Sequence, residues 1–231
     1  MNASTLPRPV SRLLVRPLVL GLVLAIGSTA ALAAPRDIDK VNGAIRAEAG
    51  QEYGELDTVN GSIRVEREAR AESASTVNGS IRIEGSAVLG SAETVNGAIT
   101  IGEGAVVQKT AETVNGALTL ERASRIEGKA STVNGRIELT QAEIVGGIET
   151  VNGDVLVGEG STVRGGILIE KPTRSWFNWG EPKKPRVVIG ANAVVEGPMV
   201  FEREVELFVH ETATVGSIKG ATAKRFSGAQ P

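Results

Sequence analysis

The sequence contains no cysteine, a single histidine and few aromatic residues, which make up 3% of its 231 residues. Without cysteine there is no disulfide framework, no thiolate metal site and no cysteine nucleophile. One histidine cannot supply a multi-histidine metal centre. The formal net charge of −2 lacks the basic excess of nucleic-acid-binding proteins. We therefore expect no cofactor, no metal ion and no nucleic-acid partner.

The segment 1–33 has the pattern of a secretory signal peptide. It begins with a basic part that contains Arg8, Arg12 and Arg16, continues with an apolar part at 18–26 that only one glycine interrupts, and ends in Ala-Leu-Ala at 31–33. A basic segment, a short apolar segment and small residues in this order are typical of a cleaved signal. We predict export to the periplasm, the cell surface or the medium, with the mature chain beginning at Ala34 and not spanning the membrane. An uncleaved N-terminal anchor is the alternative.

The triplet Val-Asn-Gly recurs seven times along the chain, with a period of 18 or 19. The copies lie at 41–43, 59–61, 77–79, 95–97, 114–116, 133–135 and 151–153. Threonine precedes six of the seven copies, and aliphatic residues follow four and six positions after each valine. Alternation of aliphatic and polar residues predicts short strands, and an 18-residue period is too short for helical-pair repeats. The pattern predicts an all-β, single-stranded parallel β-helix, or solenoid, of 18–19-residue coils.

Equivalent residues of successive coils then stack about 4.8 Å apart. We expect both apolar positions of each repeat, such as Val95 and Ile99, to point inward, and asparagine side chains to form a hydrogen-bonded ladder. Asn-Gly tolerates the positive φ that a sharp corner needs, and the extra residue of the longer coils is expected at a corner. A right-handed helix is favoured. The structural ladder comprises Val59, Asn60, Gly61, Val77, Asn78, Gly79, Val95, Asn96 and Gly97.

An antiparallel β meander is the alternative fold, because Asn-Gly is also a strong hairpin turn. A two-residue hairpin would place Val59 opposite Ser62 and Thr58 opposite Ile63. The valine and the isoleucine would then lie on opposite faces of the ribbon. The persistence of apolar residues at both positions favours the β-helix.

The repeats are interrupted once. The β-helix is predicted over 34–169 and again over 187–220, with a loop at 170–186 between them and a flexible tail at 221–231. The loop carries three of the nine prolines, three of the seven aromatic residues and a net charge of +3. Its aromatic and basic side chains could bind a sugar, a lipid headgroup or a protein partner, or fold back on the helix. The candidate contact residues are Arg174, Trp176, Phe177, Trp179, Lys183 and Lys184.

The repeat units D-T-V-N-G-S-I-R-V and E-T-V-N-G-A-I-T-I resemble a bacterial adhesin-type repeat family of exported proteins. This resemblance covers about residues 37–169. The segment 187–220 is more loosely similar to the coils of bactofilins, which form cytoskeletal polymers, although a signal peptide departs from their cytoplasmic setting. The resemblance implies an exported β-helical scaffold and no catalytic residues.

Other candidate chemistry is better explained by structure than by catalysis. His210 could serve as the general base of a hexapeptide-repeat acyltransferase, but a surface histidine on an outward strand position is favoured. Acidic residues recur in the repeat frame at Asp39, Asp57, Glu93, Glu112 and Glu149, with serine at 75 and 131, and are expected to form a solvated outer column. Glycine pairs such as those at 102–104 and 146–147 are expected at corners.

These observations favour a non-enzymatic, exported scaffold or adhesin-like protein that acts through surface contacts and weak self-association. A module that binds envelope polysaccharide or lipid through the 170–186 loop is the second hypothesis. An acyltransferase is the third.

Overall fold

The computed structural model describes residues 35–172 and 184–231. In these residues every regular element is a β-strand, and the chain winds through about ten coils of a solenoid. Each coil crosses three faces. Faces 1 and 2 belong to one 16-stranded sheet, and face 3 is a 10-stranded sheet.

Three long strands pass without interruption from face 1 to face 2: β3 (Glu52–Asn60), β5 (Arg70–Asn78) and β7 (Val88–Asn96). The other strands of face 1 are β9 (Val106–Val107), β12 (Arg125–Ile126), β15 (Glu143–Ile144), β18 (Thr162–Val163), β21 (Val194–Val195) and β24 (Thr214–Val215). The others of face 2 are β1 (Arg36–Asn42), β10 (Ala111–Asn115), β13 (Ala130–Asn134), β16 (Ile148–Thr150), β19 (Ile167–Ile169), β22 (Met199–Phe201) and β25 (Ile218–Lys219). Face 3 consists of β2 (Ile45–Ala47), β4 (Ile63–Val65), β6 (Ile81–Ile83), β8 (Ile99–Ile101), β11 (Leu118–Leu120), β14 (Ile137–Leu139), β17 (Val155–Val157), β20 (Arg186–Ile189), β23 (Glu206–His210) and β26 (Lys224–Phe226).

All strand pairs in the described residues are parallel, which confirms the β-helix and rules out the antiparallel meander. Each strand pairs with its equivalent in the neighbouring coil, so that like residues lie opposite one another. The isoleucines that open β4, β6 and β8 form one such column, and all are fully buried.

The interior is a set of aliphatic columns. On face 3 the last inward position of nine successive coils is aliphatic and 0% exposed. The residues are Ala47, Val65, Ile83, Ile101, Leu120, Leu139, Val157, Ile189 and Val209. Burial of such columns is the main stabilising term for a chain with so few aromatic side chains.

The valine of the repeat does not point inward, contrary to expectation. Val95 is 37% exposed and Val41 is 59% exposed, whereas the preceding Thr94 is 4% exposed. Alternation along the strand explains this, because Ala92 and Thr94 face the interior and the residues between and after them face out. The chain then turns at the corner, and Ile99 enters the interior from the next face.

The inward threonines have hydrogen-bond partners despite their burial. The Thr94 hydroxyl donates to the carbonyl oxygen of Gly79 in the preceding coil at 2.9 Å, and Thr76 donates in the same way to Gly61. Because a buried hydroxyl without a partner would be costly, these bonds let a polar residue occupy the core beside the corner.

Most of the repeat glycines are required by close packing and not by positive φ. Gly43 in the first coil has a φ of 110°, but Gly61, Gly79 and Gly97 have no such conformation. A Cβ atom on Gly97 would lie 1.9 Å from the carbonyl oxygen of Gly79. The expected conformational role is therefore wrong for these positions, and the constraint is the approach of two backbones.

The extra residue of the longer coils lies at a corner, as predicted. Val88 pairs with Val106 in the same register as the shorter coils, but Ala92 pairs with Ala111, one position later than that register would give. The inserted residue therefore falls between faces 1 and 2. From this coil onward the long strand is divided into two shorter strands.

The helix resumes after the loop with β20, and β26 adds a last strand beyond residue 221. The tail therefore includes regular structure at Lys224–Phe226, which pairs with β23. The Phe226 ring also packs edge-on against His210.

We expect Ile99→Asp to abolish cooperative folding, because it buries an unpaired charge in the aliphatic core at a cost of several kcal/mol. Val95→Asp should cost less than about 1 kcal/mol, because that side chain faces solvent. Thermal melts followed by circular dichroism measure both. Equal losses of stability would contradict the observed alternation.

Candidate functional site

The asparagines of the repeat form a continuous ladder along the corner between faces 2 and 3. Each side-chain amide donates to the amide oxygen of the asparagine in the preceding coil, at distances of 2.9 to 3.1 Å. The ladder comprises Asn42, Asn60, Asn78, Asn96, Asn115, Asn134 and Asn152. This confirms the predicted ladder of asparagines, which is solvent-exposed.

Arg203 ends the ladder where the repeat motif is lost. Its guanidinium donates to the Asn152 side-chain oxygen at 2.6 Å and to the Val151 carbonyl oxygen at 3.0 Å. In the coil between them Ile169 pairs with Thr150, and Lys171 follows where the register would place an asparagine. The Arg203 side chain therefore reaches across the coil that lacks an asparagine. Its guanidinium supplies the hydrogen-bond donor that the next asparagine would have supplied.

The residues on either side of Arg203 contact both stems of the loop. Glu202 accepts a weak hydrogen bond from the Lys171 backbone N–H at 3.4 Å, and Glu204 forms an ion pair with Lys184 at 2.7 Å. The returning stem is also held by Asp154, which accepts from the backbone N–H of Arg186 at 2.9 Å. We call residues 202–204 the stem corner, since this one corner fixes the base of the loop.

Five of the six predicted contact residues lie outside the described residues: Arg174, Trp176, Phe177, Trp179 and Lys183. The sixth, Lys184, is exposed, and its ammonium group is paired with Glu204. This pairing lowers the pKa of the Glu204 carboxyl through the hydrogen bond from Lys184. The positive charge of Lys184 is therefore partly neutralised by an ion pair within the chain.

The acidic residues of the repeat frame form one outward column on face 2, as predicted. In chain order the column reads Asp39, Asp57, Ser75, Glu93, Glu112, Ser131, Glu149, Leu168, Val200 and Lys219. Several members are half-buried by their neighbours and not freely solvated. The described residues contain no group of three or more acidic or histidine side chains arranged to hold a metal ion.

Crowding in this column raises the pKa of two of its carboxyl groups. Burial, reinforced by the negative charges of Asp39, Glu55, Asp37 and Glu93, raises the pKa of Asp57 from 3.8 to about 6. Burial and the neighbouring Glu93 likewise raise the pKa of Glu112. The column is a strip of mutually repelling carboxylates whose ionisation works against the fold.

His210 lies on the outer surface of β23, as favoured from the sequence. Its Nδ1 atom is 2.9 Å from the Thr212 hydroxyl and 3.2 Å from the Thr212 backbone nitrogen. The ring also meets Phe226 edge-on, with 5.1 Å between centroids. These local contacts account for the residue without a substrate.

Two grooves in the described residues are open to solvent, and one of them, on face 1, is lined by Arg125, Glu143 and Arg164. The other lies where the glycines at 146–147 and 165–166 stack at the corner between faces 1 and 2, beside Leu168 and Val200. Glu149 is its one titratable lining residue. Backbone and aliphatic walls with a single carboxylate provide no pair of groups for acid–base chemistry.

The outer faces change from polar to apolar side chains along the solenoid, a change that the repeat pattern did not predict. The outward column of face 3 begins with Arg46, Arg64 and Arg82 and becomes apolar at Leu156, Val188 and Phe208. The face 2 column becomes apolar in the same coils, at Leu168 and Val200. The signal was present in the sequence, because these residues occupy positions that are polar in the earlier repeats.

No protein-family model, curated protein or solved structure matches this chain. No helix in the described residues is long and apolar enough to cross a membrane. The parallel coils make this protein a β-solenoid. Its most distinctive surfaces are the base of the loop and the outward columns of faces 2 and 3.

We expect Asp57→Asn to stabilise the protein at neutral pH. Since folding raises the pKa of this carboxyl, the folded chain binds the proton more tightly than the unfolded chain, and stability falls as pH rises from 3.8 through about 6. The variant should therefore melt higher than the wild type at neutral pH, and the difference should shrink as the pH falls through this window. Calorimetry across pH measures the effect.

Glu138→Gln is the matched control, because it removes an outward carboxylate from face 3. Equal stabilisation by this variant at neutral pH would assign the effect to net charge and contradict the role of crowding around Asp57.

Proposed function

We propose that this chain is an exported, non-enzymatic β-solenoid scaffold that acts, like an adhesin, through contacts of its surface. Binding of envelope polysaccharide or lipid by the 170–186 loop is the alternative. Export rests on the signal-like residues 1–33, which lie outside the described residues. The observation that carries the proposal is the stem corner, which attaches the one non-repetitive segment to an otherwise regular rod.

The regular coils suit the scaffold role. Neighbouring coils share backbone hydrogen bonds along all three faces, and most side chains that line the interior are aliphatic or hydrogen-bonded threonines. A chain stacked in this way presents the same outward positions at intervals of about 4.8 Å. Such a surface supports extended contacts better than it supports a single catalytic pocket.

The last coil of the solenoid has features that favour self-association and one feature that restrains it. Val215, Ile218 and Ala223 in the last coil continue the interior columns but are only partly buried. Arg225, however, follows Val209 in the inward column of face 3, where all the earlier residues are aliphatic. A charged residue at an inward register position of an unpaired sheet edge opposes the addition of another strand, so we expect stacking on a second copy to be restrained.

The main test replaces residues 173–183 with a short Gly-Ser linker, which leaves both stems and the stem corner in place. The exported chain and this variant are used to capture envelope components, and melts confirm that both fold. Loss of capture in the folded variant supports the loop as the contact element. Undiminished capture of envelope components by the variant would assign the contacts to the faces of the rod. Failure of both proteins to capture any envelope component would contradict the proposal.

We expect Arg225→Val to increase self-association, because it extends the aliphatic column to the open end. Static light scattering over a range of concentrations should show a higher average mass for this variant than for the wild type. Lys224→Gln is the control, because it removes the same charge from an outward position without adding an apolar side chain. Identical association of all three proteins would show that the inward charge does not restrain stacking.

A further inference from the structure

We propose that face 3 of the C-terminal coils docks on an anionic phospholipid surface. The docking surface consists of Leu156, Val188 and Phe208 with the flanking cations Arg186 and Lys224. This inference deepens the lipid alternative and rests on the proposed export of the chain. It assigns lipid contact to described residues of the rod itself.

The apolar part is a column of three outward side chains in successive coils. Leu156 pairs with Val188, and Val188 pairs with Phe208. All three are half-buried by their neighbours and face outward, between inward residues that are fully buried. The equivalent positions in the six preceding coils hold arginine, threonine or glutamate, so the apolar column is confined to this end.

Two cations border the phenylalanine. The Arg186 guanidinium lies 4.9 Å and the Lys224 ammonium 5.3 Å from the Phe208 ring centroid. Arg186 also donates to the Pro231 carbonyl oxygen at 2.9 Å, and Glu206 lies opposite it in the sheet register. An aromatic ring beside cationic groups suits the headgroup layer, where the ring meets the acyl boundary and the cations meet phosphate.

The distribution of charge along the rod supports an anionic partner. Residues 35–161 carry 12 basic and 20 acidic side chains, a net charge of −8. The described residues after them, 162–172 and 184–231, carry eight basic and six acidic ones, a net charge of +2 that comes from Lys171, Lys184 and Arg186 at the stems of the loop. The C-terminal segment 212–231 contains three cations and no acid. An anionic surface therefore attracts the C-terminal end and repels the rest of the chain.

The arginines at the other end of face 3 do not form an equivalent surface. Arg46 is paired with Glu66 at 2.7 Å, and Arg64 with Glu84 at 3.3 Å. No apolar side chain stands beside them in the outward column of the described coils. They supply the matched control, because the same change of charge can be made there without touching the apolar column.

The test is co-sedimentation of the exported chain with vesicles of equal parts phosphatidylglycerol and phosphatidylcholine, and with vesicles of phosphatidylcholine alone. We expect binding to the anionic vesicles, little binding to the neutral ones, and release at high salt. Arg186→Gln with Lys224→Gln should weaken binding about tenfold or more. Arg64→Gln with Arg82→Gln should leave it unchanged. Val188→Thr with Phe208→Thr should weaken it with all charges in place, and melts establish that every variant folds.

Several results would overturn the inference. These are no binding by the wild type, equal binding to neutral vesicles, or equal losses from both pairs of charge substitutions. Suppose that replacing 173–183 abolishes vesicle binding while the variant with Arg186→Gln and Lys224→Gln binds vesicles as well as the wild type. This result would assign lipid binding to the loop and would leave the proposed function intact. A change of oligomeric state in the threonine variant, without a change in vesicle binding, would assign the apolar column to a second copy of the chain.

Discussion

The parallel hydrogen bonding between coils is the constraint on which the rest of this structure depends. Each coil must place its backbone N–H and C=O groups opposite those of its neighbours, so a residue type that suits one coil is repeated in the next. The aliphatic columns, the asparagine ladder and the close approach of Gly97 to Gly79 all follow from this register. The same rule stacks like charges, which explains why burial and neighbouring carboxylates raise the pKa of Asp57.

Two departures from the repeat occur at the same level of the solenoid. The loop at 170–186 opens one corner, and the stem corner at 202–204 holds both of its ends. In the adjoining coils, the outward positions change from polar to apolar on faces 2 and 3. The N-terminal coils are acidic and regular, whereas the C-terminal coils have a nearly balanced charge and apolar side chains at outward positions.

The last described coil departs from the regular interior at one position. Inward positions at the last coil remain largely aliphatic, so the open edge could accept another strand. Arg225 follows in the register of a face 3 column that is aliphatic in the nine preceding coils. The charge does not disturb the coils beneath it, because Arg225 is exposed and its guanidinium donates to the His210 carbonyl oxygen at 3.3 Å.

The sequence by itself determined the period, the coil length and the class of fold. A register repeated seven times leaves few arrangements in which all the backbone N–H and C=O groups are hydrogen-bonded. It also located the asparagine ladder, the acidic column and the interruption at 170–186. Only the tertiary structure decided which of two apolar positions faces the core, since Val95 and Ile99 lie on different faces separated by a corner. It alone brought Arg203 to Asn152 and Arg186 to Phe208, because the register that joins such distant parts of the chain depends on where the corners fall.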